Sequence, residues 1–320
     1  MTRRRHFCLS ALSLALPHAA AWAQPSSQPI RILVGFAPGG SVDLTARALA
    51  EAMRASLERT VLVENRPGAA GRLVVEATRQ ARPDGDTLML VPHGPMTLFP
   101  WIHRQLRYDP VKDFAPVGRV CIVDYAITTG PATPAKTVAE YVAWARDPAN
   151  KAAFASPGAG TIPHFLGQGF AQKAGVEITH VGYKGAAPSL VDLIGGNISL
   201  AVTPLADAAE HHRAGKVRIL AVTGTRRNPA LPEVPTLKES GIDLVLDGWY
   251  GLYAPAGTPA GQIDRLYQAL QGAVKKIEPM LARATMHAEP AGPRQLAEIQ
   301  AAETALWGPW VKASGFTPEE

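Results

Sequence analysis

Short apolar runs of strand length alternate with helical segments along most of the chain, and this alternation restricts the fold most strongly. The first run, IRILVGF, ends at a Pro-Gly-Gly turn, and the segment after it places Val42, Ala46, Leu49 and Met53 on one helical face. TVLVEN and DTLMLVP are two further strand-like runs, with the helical segment LVVEATRQA between them. This order predicts an α/β fold in which helices cover both faces of a parallel sheet.

A second unit with the same alternation follows the segment YDPVKDFAPVGRVCIVDYAITT. It contains the helix TVAEYVAWARD, the strand ITHVGY, a helix over residues 187–194 and the strand VRILAVTG. The strand-like LVLDGWYGLYAPAGTP and a long helical region come last. We expect the chain to cross between two α/β lobes near residues 120–126 and again near 240–250. Ligands of open α/β sheets bind beyond the carboxyl ends of the strands, so two such lobes would face each other across a cleft.

The first 23 residues have the pattern of a secretory signal peptide. Three arginines precede an apolar stretch that is too short to span a bilayer, and Ala-Trp-Ala at residues 21–23 matches a signal peptidase site. A buried first helix is the alternative. Arg4 and Arg5 also fit part of the twin-arginine pattern, so the export route stays open. We expect a periplasmic protein that is cleaved after Ala23.

Composition excludes several function classes for the mature chain. Removal of residues 1–23 takes away three arginines and leaves 29 Lys and Arg against 27 Asp and Glu. A net charge of about +2 gives no reason to expect nucleic acid or a membrane surface as a partner. Cys121 is then the only cysteine, so neither an internal disulfide nor a cysteine metal cluster can form. We expect no bound metal and no cofactor.

The glycine-rich turn after the first strand is the first candidate site. Gly35, Gly40 and Ser41 nearly match a P-loop, but the lysine that follows the second glycine of such a loop is missing. What remains is a helix N-terminus with outward N–H groups, for which Ser41 is the expected N-cap. Such a terminus binds a carboxylate as readily as a phosphate. A tight turn without a ligand is the alternative.

The segment FASPGAGTIPHFLGQGF repeats this arrangement in the second unit. Ser156, Gly158, Gly160 and Thr161 stand ahead of a helical pattern there. Two glycine-rich helix starts in opposed lobes favour a binding function over two independent turns. His164 lies one turn into the helix, where a structural hydrogen-bonding role is more common than a role as a base.

Tyr183, Lys184 and Gly185 form a third candidate segment at the end of a predicted strand. Lys184 offers a positive charge to an acidic solute, and a surface lysine is the alternative. We find no nucleophile–base pair, no facing carboxylates and no metal-binding histidine spacing. We therefore expect no catalytic residue. An exported enzyme that uses the same cleft is the less favoured alternative.

Eight motifs occur in an order that resembles a known receptor family. They are PIRILVGFAPGGSVDLTAR, VENRPGAAGRL, RPDGDTLML, LRYDPVKDFAPV, HVGYKGAAPSLVDLIGGN, KVRILAVTGTRR, LPEVPTLKESG and GWYGLYAPAGTP. Together they resemble the extracytoplasmic solute receptors of the tripartite tricarboxylate transporter family, often called Bug-type receptors. The resemblance covers essentially the whole mature chain. It implies a type II periplasmic binding protein with two α/β lobes, two crossover strands and a ligand cleft between the lobes.

The resemblance also implies a function, domain boundaries and site residues. A monomeric receptor would capture a small carboxylate and deliver it to the small and large subunits of a membrane transporter, or to a sensor kinase. The first lobe would comprise residues 24–124 and 244–320, and the second lobe residues 125–243. The implied ligand-binding residues are Phe36, Ala37, Pro38, Gly39, Gly40, Ser41 and Asp43 in the first lobe, and Ser156, Gly158, Gly160, Thr161, His164, Tyr183, Lys184, Gly185 and Thr203 in the second.

Two departures from the family pattern bear on the choice of ligand. Bulky residues occupy positions 96–99, where the family commonly has small ones, and Thr203 stands near a position at which many members carry an acid. A buried ammonium group needs an anionic partner, and the sequence places neither Asp207 nor Asp247 in the pocket. We therefore expect a non-amino carboxylate, such as an aliphatic di- or hydroxy-acid or an aromatic acid. Candidates for pocket lining, or for packing within the lobes, are Met96, Phe99, Trp249 and Tyr250.

Overall fold

The computed structural model describes residues 28–313, and the predicted signal peptide over residues 1–23 lies outside the described residues. The strands are β1 Ile30–Val34, β2 Val61–Asn65, β3 Thr87–Pro92, β4 Phe114–Thr129, β5 Ala153–Ser156, β6 Thr179–Gly182, β7 Leu200–Pro204, β8 Arg218–Val222, β9 Asp247–Pro255 and β10 Met286–Ala291. The α-helices are α1 Ser41–Leu57, α2 Arg72–Arg79, α3 Gly94–Thr97, α4 Phe99–Ile102, α5 Val138–Ala145, α6 Ile162–Ala174, α7 Ala186–Ile194, α8 Leu205–Arg213, α9 Ala260–Arg283 and α10 Pro293–Ala313.

The first lobe contains a mixed sheet. Strands β2, β1 and β3 are parallel neighbours, as the alternation of strands and helices predicts. Strand β9 pairs antiparallel with β3 and with β4, and β10 pairs antiparallel with β4. The carboxyl ends of the parallel strands β1 and β3 lead directly into the turns before α1 and α3, which places both turns at one edge of the sheet.

Strand β4 connects the two lobes. Its first part pairs with β9 as far as Asp124, and from Tyr125 onward it pairs with β7 and β8. Strand β5 then pairs parallel with β7 and β6 to complete the sheet of the second lobe. The chain returns just before β9, where the N–H of Leu246 donates to the carbonyl of Thr223 (3.1 Å). The residue boundaries of the lobes at 124 and 243 stay predictions.

The core follows the amphipathic patterns of the sequence. Val42, Ala46, Leu49, Met53 and Leu57 are all buried, which confirms the predicted apolar face of α1. This helix packs against α9 on one side of the first sheet. Removal of such aliphatic side chains from water supplies the main favourable free energy of folding.

Helix α10 joins the lobes by direct packing. It lies against β4, α3 and α4 in the first lobe. The Trp307 ring stands 6.4 Å, centroid to centroid, from the ring of Phe165 on α6 in the second lobe. Within residues 28–313 we find no helix with the length and apolar character that a membrane-spanning segment requires.

Candidate functional site

The turn between β1 and α1 is shaped by close backbone packing. A Cβ at Gly35 would lie 2.6 Å from the Cα of Gly71, so only glycine fits there. The N-cap of α1 is Gly40, and the expectation that Ser41 is the N-cap is wrong by one residue. Because Ser41 is the first helical residue, its hydroxyl group is free to bond outside its own helix.

Asp43 holds the turn together from the first turn of α1. Its carboxylate accepts hydrogen bonds from the N–H of Gly39 (2.9 Å), the amide of Asn65 (2.8 Å) and the guanidinium of Arg47 (3.0 Å). Burial alone would raise the pKa of Asp43, but these hydrogen bonds and the Arg47 charge lower it below its ordinary value. The carboxylate is therefore ionised and fully engaged within the first lobe.

Ser41 bonds to an acid of the opposite lobe. Its N–H donates to Oδ1 of Asp207 (2.6 Å) and its hydroxyl donates to Oδ2 (3.0 Å). The hydroxyl oxygens of Ser41 and Tyr250 lie 2.6 Å apart, so the tyrosine supplies a donor to Ser41. Backbone N–H and hydroxyl thus hold a carboxylate at the start of α1, as predicted for a ligand, but this carboxylate belongs to Asp207.

The second glycine-rich turn is stabilised from within. Ser156 donates to the carbonyl of Gly158 (2.9 Å), and its hydroxyl lies 2.7 Å from Nε2 of His180. Thr161 is the N-cap of α6, and its hydroxyl donates to the same Gly158 carbonyl (2.7 Å) rather than accepting from the helix. His164 accepts the N–H of Gly160 at Nδ1 (3.1 Å), and burial lowers the pKa of His164 to about 4. The imidazole is therefore neutral at physiological pH.

The third candidate segment contacts the first lobe through its backbone. The carbonyl of Lys184 accepts the N–H of Ala37 (3.0 Å) across the cleft. Gly185 adopts φ +136°, and a Cβ there would lie 3.1 Å from the Ala37 nitrogen. The Tyr183 hydroxyl donates to Asp192 within its own lobe (2.6 Å). The Lys184 side chain is exposed, so this segment contacts the first lobe through its backbone and not through that side chain.

A small cavity of about 50 Å³ lies between the lobes. Residues at the N-termini of α1, α6, α7 and α8 line it, and no lysine, arginine or histidine does so within residues 28–313. A cavity of this size holds a few water molecules. Of the predicted site residues, those in the lining are Phe36, Ala37, Gly40, Ser41, Asp43 and Thr161. Those outside the lining are Pro38, Gly39, Ser156, Gly158, Gly160, His164, Tyr183, Lys184, Gly185 and Thr203.

Asp207 lines the cavity, although the sequence alone does not place it there. Burial raises the pKa of Asp207 to about 6, although its hydrogen bonds with Ser41 oppose this shift. Thr203 is buried on β7 and donates to the carbonyl of Pro204 (3.2 Å). Asp247 lies at the crossing of β4 and β9 opposite Asp124, outside the cavity.

A buried hydrogen-bond network supports the cavity from behind. The Glu303 carboxylate accepts from the indole N–H groups of Trp249 (2.6 Å) and Trp307 (3.1 Å), and it contacts Nδ1 of His93. Nε2 of His93 lies 2.8 Å from the hydroxyl of Tyr125, whose side chain lines the cavity. Burial alone would raise the pKa of Glu303, but the His93 charge and these hydrogen bonds lower it. The network ties α10 to the strand that connects the lobes.

The candidates for pocket lining divide between cavity and core. Tyr250 lines the cavity. Trp249 donates its indole N–H to Glu303. Met96 and Phe99 are buried in the core and do not line the cavity. Within the described part of the chain, no cluster of three or more histidine, cysteine, aspartate or glutamate side chains could hold a metal ion.

The chain forms two α/β lobes that are connected by crossover strands, and helix N-termini line the cleft between them. This arrangement defines a periplasmic solute-binding protein of type II. The model of the tripartite tricarboxylate transporter family receptor matches residues 45–316. The chain therefore belongs to this receptor family, as its motifs predict.

Several solved structures are similar to this chain, and two of the three described here carry a small acid. The periplasmic binding protein BugD is 31% identical, with a TM-score of 0.88 over 91% of this chain and 99% of that chain. MatC from Rhodopseudomonas palustris with bound malate is 26% identical, with a TM-score of 0.84 over 89% and 99% of the two chains. Rpa4515 from R. palustris with adipate is 27% identical, with a TM-score of 0.85 over 92% and 99%.

Proposed function

We propose that the chain is an exported receptor that captures a small carboxylate between its lobes and delivers it to a membrane transporter. The observation that carries this proposal is the convergence of helix N-termini from both lobes on one cavity, whose lining within residues 28–313 has no basic side chain. The acids bound by MatC and Rpa4515 agree with it.

Helix N-termini suit a carboxylate because their first N–H groups lack partners inside the helix. Ser41 begins α1 in one lobe, and Ile162 and Ala186 begin α6 and α7 in the other. The start of α1 already holds the Asp207 carboxylate, so the N-termini of α6 and α7 remain for a ligand. Each of these contributes about 0.3–1 kcal/mol through its dipole, and hydrogen bonds to the charged oxygens add more. These two helix starts favour an anion, and within residues 28–313 no lysine or arginine of the cavity lining is needed to neutralise it.

Binding would be coupled to closure of the lobes. The contacts of Ala37 with Lys184 and of Ser41 with Asp207 already connect the two rims. A ligand that bonds to both lobes stabilises the closed arrangement by the difference between its affinities for the closed and open states. A transporter can then recognise the loaded receptor by its closed shape.

The proposed cellular setting rests on the predicted signal peptide and on the family. We propose export to the periplasm with cleavage after Ala23, and a monomeric receptor that docks on the small and large subunits of a transporter. Presentation of the same acid to a sensor kinase is the alternative partner. Crosslinking in membranes that hold the cognate transporter distinguishes the two partners.

Calorimetric titration of the mature chain with small mono-, di- and hydroxy-acids tests carboxylate binding. We expect one saturable site, together with a smaller scattering radius and a higher Tm when it is filled. Ala186→Leu places a larger side chain in the cavity, whose volume is about 50 Å³, and should abolish binding. Ala139→Leu makes the same change at an exposed first-turn position of α5 and should leave binding intact. Equal binding by both variants would contradict the proposed site.

A further inference from the structure

The two acids of the cavity lining differ in how far their oxygens are used. Asp43 is engaged by Gly39, Asn65 and Arg47 within its own lobe. Asp207 accepts only from the N–H and the hydroxyl of Ser41 among the hydrogen bonds of the described residues. An ionised carboxylate offers about four lone-pair sites. Asp207 can therefore accept further hydrogen bonds from a ligand, whereas the carboxylate oxygens of Asp43 are already used by groups of its own lobe.

Among the described residues, no cationic side chain faces Asp207 in the cavity. The groups that face it are the start of α1, with Gly40 and Ser41, and the hydroxyl of Tyr250 behind Ser41. The cavity lining within residues 28–313 contains no lysine, arginine or histidine. A carboxylate in such a place repels a second anion and attracts a donor or a positive charge.

We propose, on the basis of the carboxylate function proposed above, that Asp207 is the specificity-determining residue of this cleft. It selects acids that carry a hydroxyl or ammonium donor beside their carboxylate. Asp207 accepts the donor while it remains bonded to Ser41. The ligand carboxylate is directed to the N-termini of α6 and α7, because the Asp207 carboxylate already occupies the N-terminus of α1.

This assignment explains why an acid can be tolerated inside a carboxylate-binding cleft. An unsubstituted acid meets Asp207 as a like charge with no proton between the two groups. A hydroxyl or ammonium group at the neighbouring carbon places a hydrogen bond between the two carboxylates. An ammonium group also cancels one of the charges.

The test uses acids that differ only at the carbon beside the carboxylate. The series are propionate, lactate and alanine; succinate, malate and aspartate; and glutarate, 2-hydroxyglutarate and glutamate. For the wild type, we expect a Kd at least tenfold lower for the hydroxy or amino acid than for the unsubstituted acid of the best-binding series. Asp207→Asn should reduce this ratio to threefold or less. Asp247→Asn, an acid outside the cavity, should leave the ratio unchanged.

Two results would overturn the assignment while leaving the carboxylate function intact. One is wild-type binding of all three acids of a series with equal affinity. The other is an equal gain in affinity for all three in Asp207→Asn, because Asp207 would then only compete with the ligand for the start of α1. Absence of binding to any of the nine acids would contradict both the assignment and the proposed function. Circular dichroism verifies that the variants are folded.

Discussion

The contact between Ser41 and Asp207 can be measured as an interaction energy across the cleft. Ser41→Ala removes the hydroxyl that donates to Oδ2 at 3.0 Å but keeps the N–H that donates to Oδ1 at 2.6 Å. Asp207→Asn replaces the charge and keeps an oxygen acceptor. The double variant makes a cycle in which the coupling free energy belongs to the pair.

The structure sets the expected size of this coupling. A hydrogen bond to a charged group contributes about 1.5–3 kcal/mol, whereas a neutral one contributes about 0.5–1.5 kcal/mol. Ser41→Ala should therefore destabilise the wild type by about 2 kcal/mol but the Asp207→Asn background by about 1 kcal/mol. The coupling free energy is then about 1 kcal/mol, in the direction that favours the pair.

Urea unfolding at pH 7 and 25 °C, followed by tryptophan fluorescence and by circular dichroism, gives the four free energies of unfolding. Coincident transitions from the two probes show that the two-state treatment holds. Ser189→Ala removes a hydroxyl that bonds only within α7, and it should give no coupling with Asp207→Asn. A Ser41–Asp207 coupling below about 0.3 kcal/mol would mean that the two lobes do not share this hydrogen bond in solution.

Three further predictions concern the Glu303 network, the titration of Asp207 and the backbone contact at Gly185. Glu303→Gln should lower the free energy of unfolding by about 3 kcal/mol, since Trp249, Trp307 and other buried partners lose a charged acceptor. Exposed Glu298→Gln on the same helix should have little effect; urea unfolding checks both variants, and equal losses would contradict the prediction. Because the pKa of Asp207 is raised to about 6, the native state binds its proton more tightly than the unfolded chain does. Wild-type stability should therefore fall relative to Asp207→Asn as the pH rises from about 4 to about 6, and parallel pH profiles would exclude this. Gly185→Val should lower the Tm and enlarge the scattering radius. Gly185 has a φ of +136°, and a Cβ there would lie 3.1 Å from the Ala37 nitrogen, so a branched side chain does not fit; an unchanged radius would argue against the interlobe contact.

The fold could be predicted from the sequence to a large extent because its signals are local. The apolar positions of α1 repeat at helical spacing, and the parallel order of β1, β2 and β3 follows from the helices between them. The place of β9 between β3 and β4 has no local signal. This pairing joins residues more than 120 positions apart and depends on packing of the whole lobe.

The candidate site could be predicted only in part because its key contacts join distant residues. Glycine and proline mark the turns before α1 and α6, so the helix starts were visible. Ser41 and Asp207 are 166 positions apart, and Glu303 lies 210 positions from His93. The mistaken cap has a nearer cause. Gly40 occupies the N-cap position although it has no side-chain oxygen, so the cap preference of serine pointed to the next residue, whose hydroxyl bonds to Asp207 instead.

Native mass spectrometry tests most directly whether this cleft holds a small carboxylate. The mature chain is incubated with an equimolar mixture of the nine acids and sprayed from a volatile buffer. We expect a one-to-one adduct with the mass of one small acid in the wild type and in Ala139→Leu, and no such adduct in Ala186→Leu. A bare protein mass under all conditions, or adducts of equal intensity in the three proteins, would contradict it.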